Sequence, residues 1–415
     1  MKNNLEEIKQ ELKKQILEEM DLSRELSDEE MEEIVDNKIF SYSSEHYLKY
    51  KEKVELAKEI FNSLRKLDIL EELTEDPKVT EIMINGKDHI FLEKNGRLFE
   101  WEKKFESKEK LEDVIQQIVS KCNRTVNEAS PIVDARLQNG SRVNVVLPPV
   151  ALNGPIVTIR RFPEKPIQMQ DLMRFGAITR EAVSFLQNLV IAGYNIFISG
   201  GTGSGKTTFL NALSDFIPKD ERIITIEDSA ELQILGVPNL VRLETRNANV
   251  EGCAEISIRD LIKSSLRMRP DRLVVGEVRG AEAIDMIQAM NTGHDGSLST
   301  GHANSAKDML SRLETMILMG GVELPLPAIR SQLASGIDII VHLGRLRDKS
   351  RKVLQIVEII DYQDGEIKTS ILYEFQEKGE TKDQKILGEL KQVGELRHIE
   401  KLENAGLYRR EYAGL

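Results

Sequence analysis

The sequence predicts an α/β fold with a smaller α+β domain in front of it, and three observations carry that expectation. From about residue 176 onward, short apolar runs alternate with helix-length amphipathic segments, the pattern of a mainly parallel sheet covered by helices on both faces. Between the first of those runs and the next helical segment lies Gly200-Gly201-Thr202-Gly203-Ser204-Gly205-Lys206-Thr207-Thr208, a glycine-rich strand-to-helix connection. Upstream, Asn85-Gly86 and Asn139-Gly140 interrupt alternating apolar stretches in the manner of hairpin turns.

Taken in order, the chain begins with Leu5, Ile8, Leu12 and Ile16, spaced by three and four, which puts one apolar stripe on a charged helix. Ser27-Asp28-Glu29-Glu30 is a capping box opening a second helix with Met31, Ile34 and Val35 inward. Residues 1–70 therefore read as a helical module. Its first 40 residues are rich in acidic side chains, a solvated face or a docking face for a partner. Residues 71–162 read as the α+β domain: a strand at 79–86, a second at 89–93, a helix through Leu111, Val114, Ile115, Ile118 and Cys122, a hairpin around Asn139-Gly140, and a last strand at 157–162.

Pro163, Pro166 and the polar run that follows predict a linker over 163–176. The core, 177–345, has strand candidates at 195–199, 222–227, 241–244, 272–276, 296–300 and 337–341, with helices at 258–268, 281–290 and 307–318. Strands at 354–360 and 369–375 flank Asp364-Gly365 as a hairpin, and the rest of 346–415 reads as a polar, weakly helical tail.

Bulk composition narrows the function. At 415 residues two or three domains are expected. The net charge of −12 and 5% aromatic content disfavour a nucleic acid as the main partner, since a single-strand channel needs basic and aromatic lining. Cys122 and Cys253 stand far apart, which leaves no disulfide framework and no four-cysteine zinc site and fits a reducing cytoplasm. Neither a signal-peptide core nor an 18-residue apolar run is present, so any work at a membrane is expected to run through protein partners.

The chemistry is read from four stretches. All of G-x-x-x-x-G-K-T is present in the 200–208 loop. The backbone N–H groups of Gly200, Gly201, Thr202, Gly203, Ser204 and Gly205 are expected to cradle the phosphates of ATP or GTP. Lys206 would reach the β- and γ-phosphates, Thr207 would face Mg²⁺, and Thr208 ends the phosphate-binding stretch. Glu227 and Asp228 lie at a strand end, where carboxylates suit a hydrated Mg²⁺ or an ordered water. Glu277 ends the apolar strand 272–276 and is placed to orient the attacking water, with Gly276 where an Asp usually helps hold the metal. Arg279 is expected either to sense phosphate or to pair with Glu282. His294 and His302, each in a Gly/Thr-rich segment, are candidates for γ-phosphate sensing.

In this combination the chain resembles the type II/type IV secretion ATPase superfamily. Residues 200–208 are similar to its Walker A, 226–231 to its Asp box, 273–277 to its atypical Walker B and 292–302 to its His box. Further similarity at 79–86, 134–144, 158–162 and 345–348 makes it look most like the CpaF-type ATPases of Tad/Flp pili. The resemblance implies a PAS-like N-terminal domain hinged to a RecA-like ATPase core, with ATP and Mg²⁺ as cofactors. It also implies a homo-hexameric ring, cytoplasmic and peripherally attached to an inner-membrane platform protein. Arg136, Arg142, Arg160 and Arg161 are the candidates for the arginines that the superfamily brings to the phosphates from its N-terminal side. Two other readings compete: a conjugation or DNA-translocation ATPase, and a nucleotide-gated scaffold with little turnover.

Overall fold

A computed structural model of the chain describes residues 2–20, 26–94, 96–122, 124–137, 139–161, 165–246, 254–321 and 323–408. Phe162, Pro163 and Cys253, which fall within the readings above, lie outside the described residues. The chain divides into two compact units, Met1–Glu164 and Lys165–Leu415.

The first unit opens with α1 (Lys2–Glu19), α2 (Asp28–Glu45), α3 (Tyr50–Arg65) and the short α4 (Leu70–Glu75). The Ser27 capping box is formed: its side chain accepts from the Glu30 N–H while the Glu30 carboxylate accepts from the Ser27 N–H. Helices α1 to α3 bury Leu12, Ile16, Met31, Val35, Leu56 and Ile60 in a core of their own. The strands β1 (Val79–Asn85), β2 (His89–Lys94), β3 (Arg97–Glu100), β4 (Ile132–Arg136), β5 (Arg142–Val146) and β6 (Ile156–Arg160), with helix α5 (Lys108–Ser120) between β3 and β4, complete the unit. All strand pairs are antiparallel, in the order β3-β2-β1-β6-β5-β4. The sequence predicts two hairpins around a helix; the sheet adds β3 as a third strand after β2 and seats β6 centrally between β1 and β5. Leu111, Val114, Ile115, Ile118 and Val119 of α5 are buried in this unit's second core with Ile82, Ile84, Val143, Val145 and Ile159.

The second unit begins with α6 (Met169–Arg174) and α7 (Arg180–Ile191) and then alternates: β7 (Ile196–Gly200), α8 (Lys206–Ser214), β8 (Ile223–Glu227), β9 (Leu240–Glu244), α9 (Ile258–Ser265), β10 (Arg272–Val275), α10 (Glu282–Asn291), β11 (Leu298–Gly301), α11 (Ala306–Met319), α12 (Leu326–Gly336) and β12 (Ile339–Arg345). It ends with β13 (Arg351–Gln363), β14 (Glu366–Glu380), β15 (Ile386–Gln392) and α13 (Glu400–Asn404). The sheet order is β15-β14-β13-β12-β7-β11-β10-β8-β9, parallel from β12 to β9 and antiparallel from β12 to β15. Strands β7, β8, β10 and β11 are buried along their whole length, and the first three read as mainly apolar runs for that reason. Ile196 and Ile198 enter one core cluster and Phe197 the other, so each face of the sheet has its own core. Every side chain of that size taken fully out of water contributes roughly 2 kcal/mol.

Two boundaries differ from the sequence expectation. The 163–176 stretch is not wholly a linker: Met169 is buried and Leu172 and Met173 pack on the second unit's core, because α6 has an apolar face to cover. The tail is not a polar appendage either. Strand β15 pairs with β14, Leu390 and Leu402 join the core, and the Tyr194 hydroxyl donates to the carbonyl of His398 at 2.5 Å.

Candidate functional site

The site is built where β7 ends. A Cβ on Gly200 would come within 2.5 Å of Ser204 Oγ and 2.6 Å of the Leu343 carbonyl, so the loop can fold back tightly here only without a side chain. Gly203 (φ 71) and Gly205 (φ 95) take left-handed backbone conformations, and Gly205 caps α8. A loop of this kind leading into a helix N-terminus suits an anion, although the Ser204 N–H donates to the Gly201 carbonyl at 3.3 Å. Ser204 Oγ is buried in this loop with no hydrogen-bond partner.

Lys206 is nearly buried, and its Nζ donates to the Gly201 carbonyl at 3.2 Å and lies 3.2 and 3.3 Å from the two ring nitrogens of His302. His302 follows β11, the neighbour of β7, and its Nε2 is 2.9 Å from Glu277 Oε1, an ion-pair distance without hydrogen-bond alignment. Glu277 extends from the end of β10, the next strand over; its other oxygen accepts from Arg279 at 2.8 Å. Gly201, Thr202, Glu277, Arg279, His302 and Arg312 line one cleft of about 660 Å³. Burial, more than any neighbour, pushes the His302 pKa below its ordinary value. Lys206, Arg279 and Arg312 push the same way and Glu277 opposes them, so the imidazole is neutral at pH 7.

The Arg279 side chain does not pair with Glu282, one of the two alternatives read from the sequence. Glu282 accepts from the backbone N–H groups of Arg279 and Gly280, at 2.7 and 2.9 Å, while the guanidinium spans Glu277 and Asp228, at 2.8 and 3.6 Å. Asp228 also accepts from the Thr245 hydroxyl. Glu227 is 3% exposed; its Oε2 accepts from the N–H groups of Glu231 and Leu232, which pins the 228–232 turn, and its Oε1 has no hydrogen-bond partner. Desolvation pushes its pKa up to about 7 despite those two N–H donors and Arg242. The glycine at 276 is explained by this carboxylate: a Cβ there would sit 3.0 Å from Glu227 Cγ. Among the described residues no group of three or more His, Cys, Asp or Glu side chains is arranged to hold a metal.

His294 does not join this cluster. It precedes β11 at the end where Leu298 pairs with Ile196, whereas the loop leaves β7 at the other end, roughly 10 Å away along a four-residue strand. Its Nδ1 faces the Ala289 carbonyl at 3.3 Å, at the C-terminal end of α10. The expectation of phosphate sensing is corrected for this histidine.

Of the arginines in the first unit, Arg136 donates from Nε to the Gly140 carbonyl at 3.0 Å, and Arg142 is 3.6 Å from Asp134. Arg161 donates to the carbonyls of Leu73, Asp76 and Val79 and so braces the chain entering β1. Arg136, Arg142 and Arg160 are register partners across β4, β5 and β6.

Sequence reasoning missed the residues that approach the loop from β12 and β13. Arg351 Nε donates to the Gly203 carbonyl at 2.8 Å, and Arg345 NH1 lies 3.7 Å from where a Gly203 Cβ would be. Thr208, Phe209, Leu172, Phe175, Leu343 and Val353 line a largely apolar pocket of about 240 Å³ beside the same helix N-terminus.

The family described as "T2SSE: Type II/IV secretion system protein" matches residues 63–397. A putative conjugal transfer protein of Mycobacterium tuberculosis is 35% identical over 294 residues, 69% of this chain and 83% of that protein. The type IV secretion system protein VirB11 of Bartonella henselae is 32% identical over 325 residues, 69% of this chain and 90% of its own length. Among solved structures, the pilus retraction motor PilT with bound ADP covers 81% of this chain and 86% of its own, with a TM-score of 0.52 at 18% identity, a likeness of fold.

Proposed function

Since this chain belongs to the type II/IV secretion system protein family, we propose that it is a Mg²⁺-dependent ATPase whose turnover drives a pilus or secretion machine at the cytoplasmic face of a membrane. The observation that carries the reading is the convergence of Lys206, His302 and Glu277 beside a loop that has an orphaned buried hydroxyl at Ser204. A water-orienting carboxylate poised next to a phosphate cradle serves hydrolysis and is superfluous in a passive scaffold.

In this reading the N–H groups of 201–205 and Lys206 bind the phosphates, Thr208 and Phe209 meet the base in the apolar pocket, and His302 carries contact between Lys206 and Glu277. Thr207, with the phosphates and water, would hold Mg²⁺, and Glu227 and Asp228 are the carboxylates that would assist it. The bound cation supplies charge neutralisation on the transferring phosphoryl group. The row Arg136, Arg142 and Arg160 places like charges directly opposite one another, with Asp134 beside Arg142 and Glu81 opposite Arg160 offsetting part of the repulsion. That row supports a phosphate-contacting role for the first unit in a ring of six copies.

Two machines remain in view. The motif resemblance favours assembly of a Tad-like pilus; the names of the relatives, conjugal transfer and type IV secretion, favour a secretion or conjugation motor. A chromosomal Lys206→Ala allele separates them. Loss of surface fibres with transfer intact supports the first, and loss of DNA or protein transfer with fibres intact supports the second. Full ATPase activity of the purified variant would remove both.

A further inference from the structure

Beneath the phosphate loop lies a buried histidine to which the motif reading gives no task. His342 of β12 is the register partner of Ser199, the residue before Gly200 on β7, and its Nδ1 is 2.7 Å from the Ser199 hydroxyl. Both side chains are almost wholly excluded from water. The same ring hydrogen-bonds the backbone of Asn304, two residues past His302, and Asp308 of α11 is the charged group that acts on it. Three further bonds converge on this corner: Ala303 N–H donates to the Gly200 carbonyl at 3.4 Å, Val278 N–H to the Thr300 carbonyl at 2.9 Å and the Thr300 hydroxyl to the Gly276 carbonyl at 2.7 Å. The strand that carries the loop, the segment that carries His302 and the tip that carries Glu277 are thereby stitched together, and the His342 imidazole lies in that seam.

We propose that His342 is a positioning residue for nucleotide turnover: a neutral imidazole that bonds Ser199 on one side and the Asn304 backbone on the other, fixing the spacing between the Lys206 loop and the His302–Glu277 pair. Burial keeps the ring uncharged, and an uncharged ring with one N–H and one bare nitrogen can satisfy a hydroxyl and a carbonyl at once. The arrangement calls for the proton on Nε2, facing Asn304, with Nδ1 accepting from Ser199. Because neither His342 nor Ser199 belongs to the phosphate cradle, the consequence falls on catalytic geometry: a shift of a few tenths of an ångström at Glu277 lowers the chemical rate while leaving phosphate binding in place.

The inference rests on the ATPase reading, and the two fail differently. Turnover by the wild-type full chain, abolished by Lys206→Ala, tests the reading alone. With that established, His342→Leu, His342→Gln and Ser199→Ala are compared for kcat, KM and affinity for a fluorescent ATP analogue. We expect His342→Leu to lower kcat about tenfold or more with the analogue's Kd changed less than about threefold. His342→Gln, which keeps one of the two hydrogen bonds, recovers part of the rate, and Ser199→Ala, which removes only a hydroxyl, gives a smaller loss in kcat in the same direction. Wild-type kcat in His342→Leu overturns the proposal. So does a parallel loss of kcat and affinity in both His342→Leu and Ser199→Ala, because that marks a fold defect. Should His342→Leu not fold, Ser199→Ala and His342→Gln decide it by the same split.

Discussion

The ring of His302 stands 2.9 Å from Glu277, on the side of the cleft where its two nitrogens also meet Lys206. A single neutral imidazole therefore separates the cation that binds phosphate from the carboxylate that orients water. Each of those two charges can be removed without directly unseating the other, and the two removals have different expected outcomes.

Lys206→Ala should abolish nucleotide turnover and weaken ATP binding strongly while the fold persists. The contacts of the ammonium include the Gly201 carbonyl and the His302 ring, both polar groups of the site itself. Its charge matters where phosphate charge accumulates. ATPase assay and circular dichroism of the purified variant check this; near-wild-type turnover would show that the loop does not serve phosphate.

Glu277→Gln keeps shape and neighbours and loses the negative charge. Binding of ATP should stay within a few-fold of wild type, and hydrolysis should slow by at least about a hundredfold, as expected for loss of a proton-accepting, water-positioning group. Equilibrium binding and single-turnover rates measured on one preparation separate the two. Equal losses in both would make Glu277 a structural partner of Arg279.

Glu227 gives the molecule a pH-dependent stability term with a definite sign. Its folded pKa of about 7 lies above the ordinary 4.5, so the folded state binds more protons between those values. The associated stability is fully present below about pH 4.5 and is lost as pH rises through 7, a difference of order 3 kcal/mol. Glu227→Gln, neutral at every pH, should therefore gain on wild type between pH 5 and pH 8. Urea midpoints of both proteins at the two pH values test it, and an unchanged difference would mean that the carboxylate is not held in a desolvating site.

What could be read from the sequence follows from how local each feature is. The loop at 200–208 is a strand, a turn and a helix in one short stretch, and its glycines declare the backbone they need. Glu277 was legible for a similar reason, as the first charge after an apolar strand. Arg351 was not, because it reaches Gly203 through the antiparallel return of β13, and a sequence read in one direction cannot set that register. His294 was misassigned because composition cannot tell which end of β11 faces the loop. Strand β15 was missed because only Ile386 and Leu390 of its seven residues are buried, which leaves too little alternation to see.

The last prediction concerns Arg142 and Arg160, which face each other across β5 and β6 with Arg136 next in the row. Like charges directly opposite on a sheet cost stability, and Glu81, which faces Arg160 across β1 and β6, offsets part of that cost. Asp134 lies 3.6 Å from Arg142 and offsets part of the repulsion. If the row exists for phosphate, Arg142→Ala and Arg160→Ala should each leave the melting temperature unchanged or slightly raised, keep ATP binding, and lower turnover about tenfold or more, since a guanidinium that meets the transferring phosphoryl group acts chiefly on the transition state. Assembly should also respond: light-scattering mass measured without nucleotide, with ADP and with a non-hydrolysable ATP analogue should lose its nucleotide dependence in both variants. A fall in melting temperature with turnover intact would assign the arginines to the fold of the first unit. Unchanged rate and unchanged mass in both variants would end the proposal that this unit contributes to phosphate chemistry.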